Sequence, residues 1–338
     1  MTRVAINGFG RIGRCFLRAA IRDGAQGRDF QIVALNDLGT IESLAYLLKY
    51  DTVYGKADFE VTHDEKNLIV GGKPIAFVQE KELAKLPWKD MQIDIVVEST
   101  GVFTDPAKAK GHIDAGAKRV VISAPAKGDG AETVLIGAND DKIKGCQITS
   151  NASCTTNAAS PLIGILDEVI GVEKALLNTT HAYTASQALV DAPNAKDLRE
   201  GRAAAQNLVP ASTGAAKATA LAYPQVKDKF DGISVRVPVP AGSMADVTFI
   251  AKRATTVEEV NAALKAAAQS VRWKRVFAVT EEPLVSSDIL GLPYGSIADL
   301  ALTRVVGGNL VKVMAWYDNE AGYAHTLVEH VKEAGKSV

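Results

Sequence analysis

The first 37 residues narrow the fold more than any other part of the chain. Val4-Ala5-Ile6 reads as a short buried strand, and Gly8-Phe9-Gly10-Arg11-Ile12-Gly13 follows it at once. A helix opens there, with Ile12, Cys15, Phe16, Ala19 and Ala20 along one apolar stripe. A second strand, Gln31 to Asn36, then ends at Asp37. The glycine pattern alone is weak evidence; set between strand and helix, with an acid closing the next strand, it points to a bound dinucleotide. Gly8 would make the tight turn, Gly10 would let a pyrophosphate approach, and Gly13 would let the helix lie close on the strand. Arg11 and Ile12 open the helix whose N-terminus would carry the phosphates. Asp37 stands 24 positions after Gly13. Its carboxylate can accept from a ribose hydroxyl and would repel a 2′-phosphate, so NAD is expected rather than NADP.

Strand and helix go on alternating. Ile93 to Glu98 reads as a strand, Asp105-Pro106 opens a helix to about Ala115, and Arg119 to Ser123 is another strand. This order implies a Rossmann-type doubly wound parallel sheet, with Ser99, Thr100, Gly101 and Ser123 at its ligand-facing ends. Phe59 to Thr62 and Asn67 to Val70 look like an inserted hairpin. With 338 residues, two domains are the default. A net charge of −1 without a basic block gives no reason to expect nucleic acid. No apolar run reaches the roughly 18–20 residues of a membrane span, and the N-terminus has no signal-peptide architecture. Cys15, Cys146 and Cys154 form neither a paired framework nor a metal-ligand spacing, so no metal is expected and a reducing cytoplasm is.

Cys154 lies between a strand ending near Thr149 and a helix marked by Leu162 to Ile170. Ser153 is a good N-cap, which puts Cys154 in the first turn, where the helix dipole should acidify a thiol. A free cysteine can equally be a small buried hydrophobe, and the segment alone leaves both open. Beyond it the pattern changes. Val172 to His181 reads as a strand ending in a polar segment, 187–206 as a long loop, and Ser212 to Lys217 as a polar helix start. Strands at 232–237, 245–250 and 310–316 suggest an α+β catalytic domain with a mainly antiparallel sheet. Helices are expected from Thr256 to about Val271 and from Gly322 to about Glu333. His181 is the candidate base for Cys154; a satisfied structural histidine is the alternative reading.

Asn7 to Arg14, Ser99 to Phe103, Ser150 to Asn157, His181 to Thr184, Ser212 to Lys217 and Trp316 to Glu320 together resemble the phosphorylating glyceraldehyde-3-phosphate dehydrogenases. The resemblance covers nearly the whole chain. It implies an NAD-binding domain at 1–153 with a C-terminal helix, 319–338, packing back on it, and a catalytic domain at 154–318. It implies Cys154 as nucleophile and His181 as its base. Ser153, Thr155, Thr184, Thr213, Gly214 and Arg236 would bind the phosphates of glyceraldehyde 3-phosphate and inorganic phosphate. Ser123 and Asn319 would touch the nicotinamide side of NAD, and Lys81 the adenine end. A cytoplasmic homotetramer is implied, with the loop after Gln187 as a subunit contact.

Some positions depart from the family pattern. Ala158 replaces the second cysteine that many relatives carry, which removes a local disulfide partner. Pro238 to Asp246 differs at several positions, Ala321 stands where tryptophan is usual, and the loop from Asp191 to Arg202 looks lengthened. The rival readings are erythrose-4-phosphate dehydrogenase, disfavoured by Thr184 and Ser212-Thr213-Gly214, and a non-catalytic nucleotide-binding paralogue.

Overall fold

Strand β1 (Thr2–Asn7) has no exposed side chain after its first residue, and helix α1 (Arg11–Arg22) folds back on the sheet through Phe16, Leu17, Ala19 and Ala20. Each large apolar side chain buried here contributes about 1.5–3 kcal/mol. β2 (Phe30–Asn36) and α2 (Ile41–Lys49) follow; Thr40 caps α2 by accepting from the Ser43 N–H. The computed structural model describes residues 1–338. They form two units, one of 1–152 with 324–338 and one of 153–323.

The first unit continues with the small pair β3 (Tyr50–Asp51) and β4 (Gly55–Lys56), then β5 (Val61–His63), β6 (Asn67–Val70), β7 (Lys73–Val78) and β8 (Ile95–Glu98). Helices α3 (Pro106–Ala109) and α4 (Gly111–Asp114) lead to β9 (Arg119–Ile122), β10 (Glu132–Thr133) and β11 (Ile148–Ser150). The nine-stranded sheet runs β10-β11-β9-β8-β1-β2-β7-β6-β5. Its pairs are parallel from β10 to β7 and antiparallel at the β7-β6-β5 edge. Strand order therefore reverses around β1, which opens a crevice at the carboxyl ends of β1 and β8. The expected hairpin is the outer part of a three-stranded meander, because Lys73–Val78 is a strand that joins it to β2. The helix expected from Pro106 to Ala115 is two short helices meeting at Lys110. α2 went unread although Ile41, Leu44, Ala45 and Leu48 hold helical spacing behind the Thr40 cap.

In the second unit α5 (Cys154–Val169) is buried from Thr155 to Leu166. It lies against a sheet ordered β13-β14-β12-β15-β19-β17-β16, with β18 beside β19. These strands are β12 (Val172–Ala182), β13 (Val209–Ser212), β14 (Phe230–Val237), β15 (Ser243–Ala251), β16 (Phe277–Thr280), β17 (Ser296–Asp299), β18 (Arg304–Val306) and β19 (Leu310–Tyr317). The sheet is mainly antiparallel, as expected, with parallel pairs at β12–β14 and β16–β17. Helices α6 (Ala215–Ala222), α7 (Val257–Gln269) and α8 (Ala321–Gly335) complete the chain; from Ala324 onward α8 belongs to the first unit. Four strands of this unit escaped the sequence reading: β13, β16, β17 and β18, each of three or four residues. Runs that short carry too few alternations for a period-two pattern to register. Residues 187–206 hold no helix or strand, as their composition implied.

Candidate active site

Cys154 is the first residue of α5 because Ser153 caps the helix, its Oγ accepting from the Thr156 N–H at 3.1 Å. β12 carries His181 to the same place, and Sγ of Cys154 lies 3.4 Å from Nε2 of His181. The tautomer follows from the other ring nitrogen. His181 Nδ1 is 2.6 Å from the Ala182 carbonyl, which can only accept, so Nδ1 carries the proton and Nε2 presents a lone pair to the thiol. His181 is 3% exposed, and its pKa is pushed down to about 3 by burial and then by the charge of Arg236.

The expected acidification of Cys154 is not what the structure shows. Burial pushes the thiol up. The charge of Arg236 and hydrogen bonds from Thr155 and from the Thr155 and Cys154 amides pull it down, without offsetting the burial. Residue spacing revealed the helix terminus but not the half-buried setting beside a buried imidazole. With the thiol pushed up and the imidazole pushed down, the geometry directs the Sγ proton at the Nε2 lone pair.

Arg236 reaches the pair by register. β12 and β14 run parallel with His181 opposite Arg236, and the guanidinium Nε is buried without a hydrogen-bond partner. A cationic group with an unmet buried donor is suited to an anion. Thr155 is 5% exposed, and its hydroxyl meets the Tyr317 hydroxyl at 2.9 Å. Tyr317 also meets Thr179 Oγ1 at 2.7 Å and sets its ring edge to His181 at 5.8 Å. Tyr317 and Thr179 were missed by motif reading. The signal was the alternating burial of β12 and β19, which turns both inward.

The remaining expected phosphate ligands sit on loops and a helix start. Thr213 Oγ1 accepts from the Ala215 N–H at 3.2 Å, and Gly214 is the N-cap of α6, with no side-chain cap. A Cβ at Gly214 would touch nothing within 4 Å. Thr184 Oγ1 is 3.0 Å from Ser186 Oγ. Asn319 is 6% exposed and accepts at Oδ1 from the Gly242 N–H at 3.1 Å and the Ser243 hydroxyl at 3.0 Å.

In the first unit Gly8 has φ +92°, and a Cβ there would lie 2.6 Å from the Thr100 nitrogen. A Cβ at Gly13 would lie 2.2 Å from the Gly8 oxygen, whereas one at Gly10 would face open space. α1 begins after Gly10 with no side-chain cap, and the amides at such a helix start suit phosphate oxygens. The Arg11 side chain is engaged by Asp51. Asp37 accepts from the Phe9 N–H at 2.7 Å and the Gly39 N–H at 2.8 Å, and each oxygen keeps acceptor capacity. A cavity of about 330 Å³ is lined by Gly8, Gly10, Asp37, Lys81, Ser99 and Thr100, among others. Ser123 stands at the end of β9, its N–H bonded to the Glu98 carbonyl at 2.9 Å. These features fit a dinucleotide: open space over Gly10, a helix start without a side-chain cap, and a carboxylate lining the same cavity.

A buried network not foreseen from sequence holds this rim. Glu98 accepts from the Asn7 amide at 2.6 Å, the Thr100 N–H at 2.8 Å and its hydroxyl at 2.5 Å, and from His112 Nε2 at 2.9 Å. His112 Nδ1 in turn accepts from the Trp88 indole at 3.0 Å.

Comparison with known proteins agrees with this geometry. Residues 2–106 match the family described as glyceraldehyde 3-phosphate dehydrogenase, NAD binding domain, and residues 153–319 its C-terminal domain. A protein named glyceraldehyde-3-phosphate dehydrogenase from Mycobacterium avium is 51% identical over 99% of both chains. One of the same name from Mycobacterium tuberculosis is 50% identical over 99% of both. Glyceraldehyde-3-phosphate dehydrogenase 2 of Streptomyces avermitilis is 50% identical over 97% of this chain and 96% of its own.

Proposed function

The chain belongs to the glyceraldehyde-3-phosphate dehydrogenase family, and from that membership and the Cys154–His181 pair we propose that it oxidises D-glyceraldehyde 3-phosphate to 1,3-bisphosphoglycerate, using NAD and inorganic phosphate, in glycolysis and gluconeogenesis. Residues 1–152 with 324–338 bind the cofactor in this reading, and residues 153–323 carry the chemistry. The observation that carries it is the thiol 3.4 Å from an imidazole whose tautomer leaves Nε2 free to accept.

Sγ adds to the aldehyde carbon as its proton passes to Nε2 and from there to the carbonyl oxygen, which gives a thiohemiacetal and a neutral imidazole again. NAD, when bound, supplies the acceptor for the hydride that leaves that carbon. His181 takes the hydroxyl proton, and a thioester remains on Cys154. The oxygen of inorganic phosphate attacks the thioester carbonyl, the C–S bond breaks, and the acyl phosphate leaves while Cys154 recovers a proton. The Cys154 amide and the imidazole stabilise the oxyanion that forms on the way. Arg236, Ser153, Thr155, Thr184, Thr213 and Gly214 hold the two phosphates: Arg236 by charge, Gly214 by its open backbone, and the others by hydroxyls or amides. The Thr155 hydroxyl is shared with Tyr317 and its amide with the Cys154 sulfur.

Asp37 accepts from the adenosine ribose, Lys81 lies toward the adenine end, and Ser123 and Asn319 serve the nicotinamide side. We further read the protein as a cytoplasmic homotetramer. Its three cysteines are unpaired, and one sheet face shows Leu176, Ile233 and Leu310 at 66%, 59% and 43% exposure, a surface suited to a second subunit.

The test is NADH formation from glyceraldehyde 3-phosphate with NAD, with and without phosphate, beside the same assay with erythrose 4-phosphate and with NADP. Preference for the triose, for NAD and for added phosphate is expected. Equal or better turnover of erythrose 4-phosphate overturns the substrate, and full activity of Cys154→Ser overturns the mechanism.

A further inference from the structure

Ser243 was not a candidate in the motif reading, yet it sits between the base and Asn319. It opens β15 and is 2% exposed. Its Oγ accepts from the Ala182 N–H at 3.1 Å and lies 3.0 Å from Asn319 Oδ1. Ala182 is the residue whose carbonyl holds His181 Nδ1. A hydroxyl has one proton, and the Ala182 amide is a donor, so the serine proton is left for Asn319. The Gly242 N–H, at 3.1 Å, can only donate, so the amide atom facing it is the oxygen. Both donors converge on Oδ1, and the Nδ2 donors are turned the other way. Gly242 can do this only as glycine: its φ is +87°, and a Cβ would lie 2.5 Å from the Ser286 carbonyl oxygen.

We propose that Ser243 is a positioning residue that locks the Asn319 amide with Nδ2 presented as a donor, so that the site takes a carbonyl acceptor, the carboxamide oxygen of the cofactor's nicotinamide. The inference rests on the reading of Asn319 as a cofactor contact and adds the residue that decides which end of its amide faces the ligand. Without the serine proton one of the two bonds holding Oδ1 is lost, and the Gly242 N–H alone opposes a turn of the amide oxygen toward a carbonyl it would repel. One hydrogen bond of this kind is worth about five- to tenfold in affinity.

The test titrates the intact enzyme with NAD and, separately, with pyridine adenine dinucleotide, which lacks the carboxamide. Ser243→Ala is expected to weaken NAD about five- to tenfold and to leave the carboxamide-free analogue within about twofold. Asn319→Ala should lose the same discrimination, and the double variant should lose little more, since the two act as a unit. Ser243→Thr, which keeps a hydroxyl, should restore discrimination. Alkylation of Cys154 by iodoacetamide should be unchanged throughout, which separates positioning from a collapsed site. If Ser243→Ala weakens both ligands alike, or neither, while Asn319→Ala loses discrimination, the role of Ser243 is wrong and the Asn319 contact stands. If Asn319→Ala keeps full discrimination, the contact is wrong and the proposal falls with it.

Discussion

Replacing His181 with asparagine tests the thiol–imidazole reading most directly, because the shorter side chain cannot span the 3.4 Å from Nε2 to Sγ. Passing the proton across that gap creates opposite charges whose attraction, at an effective dielectric of about 20, is about 5 kcal/mol. That attraction is what makes a thiolate reachable in surroundings that push the thiol up and hold the imidazole at about 3. Without it Cys154 must ionise to water, where even an unperturbed thiol is only a few per cent thiolate at neutral pH. Loss of a general base alone costs about 10²–10⁴-fold, or about 3–5 kcal/mol, which matches the attraction just worked out. His181→Asn is therefore expected to lower kcat/KM for the aldehyde by two to four orders of magnitude while leaving NAD binding near wild type. The neutral imidazole also sets a sign. Because its pKa is depressed to about 3, the base stays unprotonated through mildly acidic solution, and wild-type kcat/KM should show no limb near the ordinary histidine value of about 6.5. NADH absorbance and the pH profile of Cys154 alkylation measure both. Activity of the variant within tenfold of wild type, or a wild-type limb near 6.5, would falsify the assignment.

Other consequences can be checked independently. Arg236→Gln should raise KM for glyceraldehyde 3-phosphate by about ten- to a hundredfold, the worth of a charge-assisted hydrogen bond, and should let the His181 pKa rise, since Arg236 helps to depress it; an unchanged KM would remove Arg236 from the phosphate site. His330, fully buried between Thr149 at 2.8 Å and Asn151 at 3.2 Å, is pushed down to about 3 by burial. Its neutral form stabilises the fold fully above the unfolded pKa near 6.5, and that contribution is lost as pH falls toward 3, at about 1.4 kcal/mol per pH unit. Urea unfolding at several pH values should show a shallower slope in His330→Gln, and an unaltered slope would contradict the burial argument. Trp88→Phe deletes the donor to His112 Nδ1 and should cost about 1–3 kcal/mol, read as a lower unfolding midpoint; no change would mean that solvent satisfies His112. Gly13→Ala drives a methyl to 2.2 Å from the Gly8 oxygen, so NAD affinity should drop at least tenfold in a titration.

Several of these residues were legible in the chain itself. The glycine loop, Asp37, the capped Cys154 and the terminal His181 each lie in a short segment whose own pattern carries the meaning. So did the two sheet types, because alternating strand and helix and consecutive strands read differently along the sequence. Glu98, Tyr317 and Ser243 were not legible. Their significance comes from partners 14 or 91, 138 or 162, and 61 or 76 residues away.

What the sequence determined by itself was local: which segments would be strand or helix, where a helix would begin with exposed amides, and which residue types could attack, accept a proton or hold an anion. The tertiary structure decided the electrostatics and the roles that depend on neighbours. Burial, a property of many segments packed together, pushes the Cys154 thiol up where the helix terminus alone would lower it. Register between β12 and β14 brought Arg236 beside His181, and a serine on a third strand oriented Asn319. Spacing along a chain records helix and strand periods, but it records neither the dielectric around a group nor which distant donor will meet it.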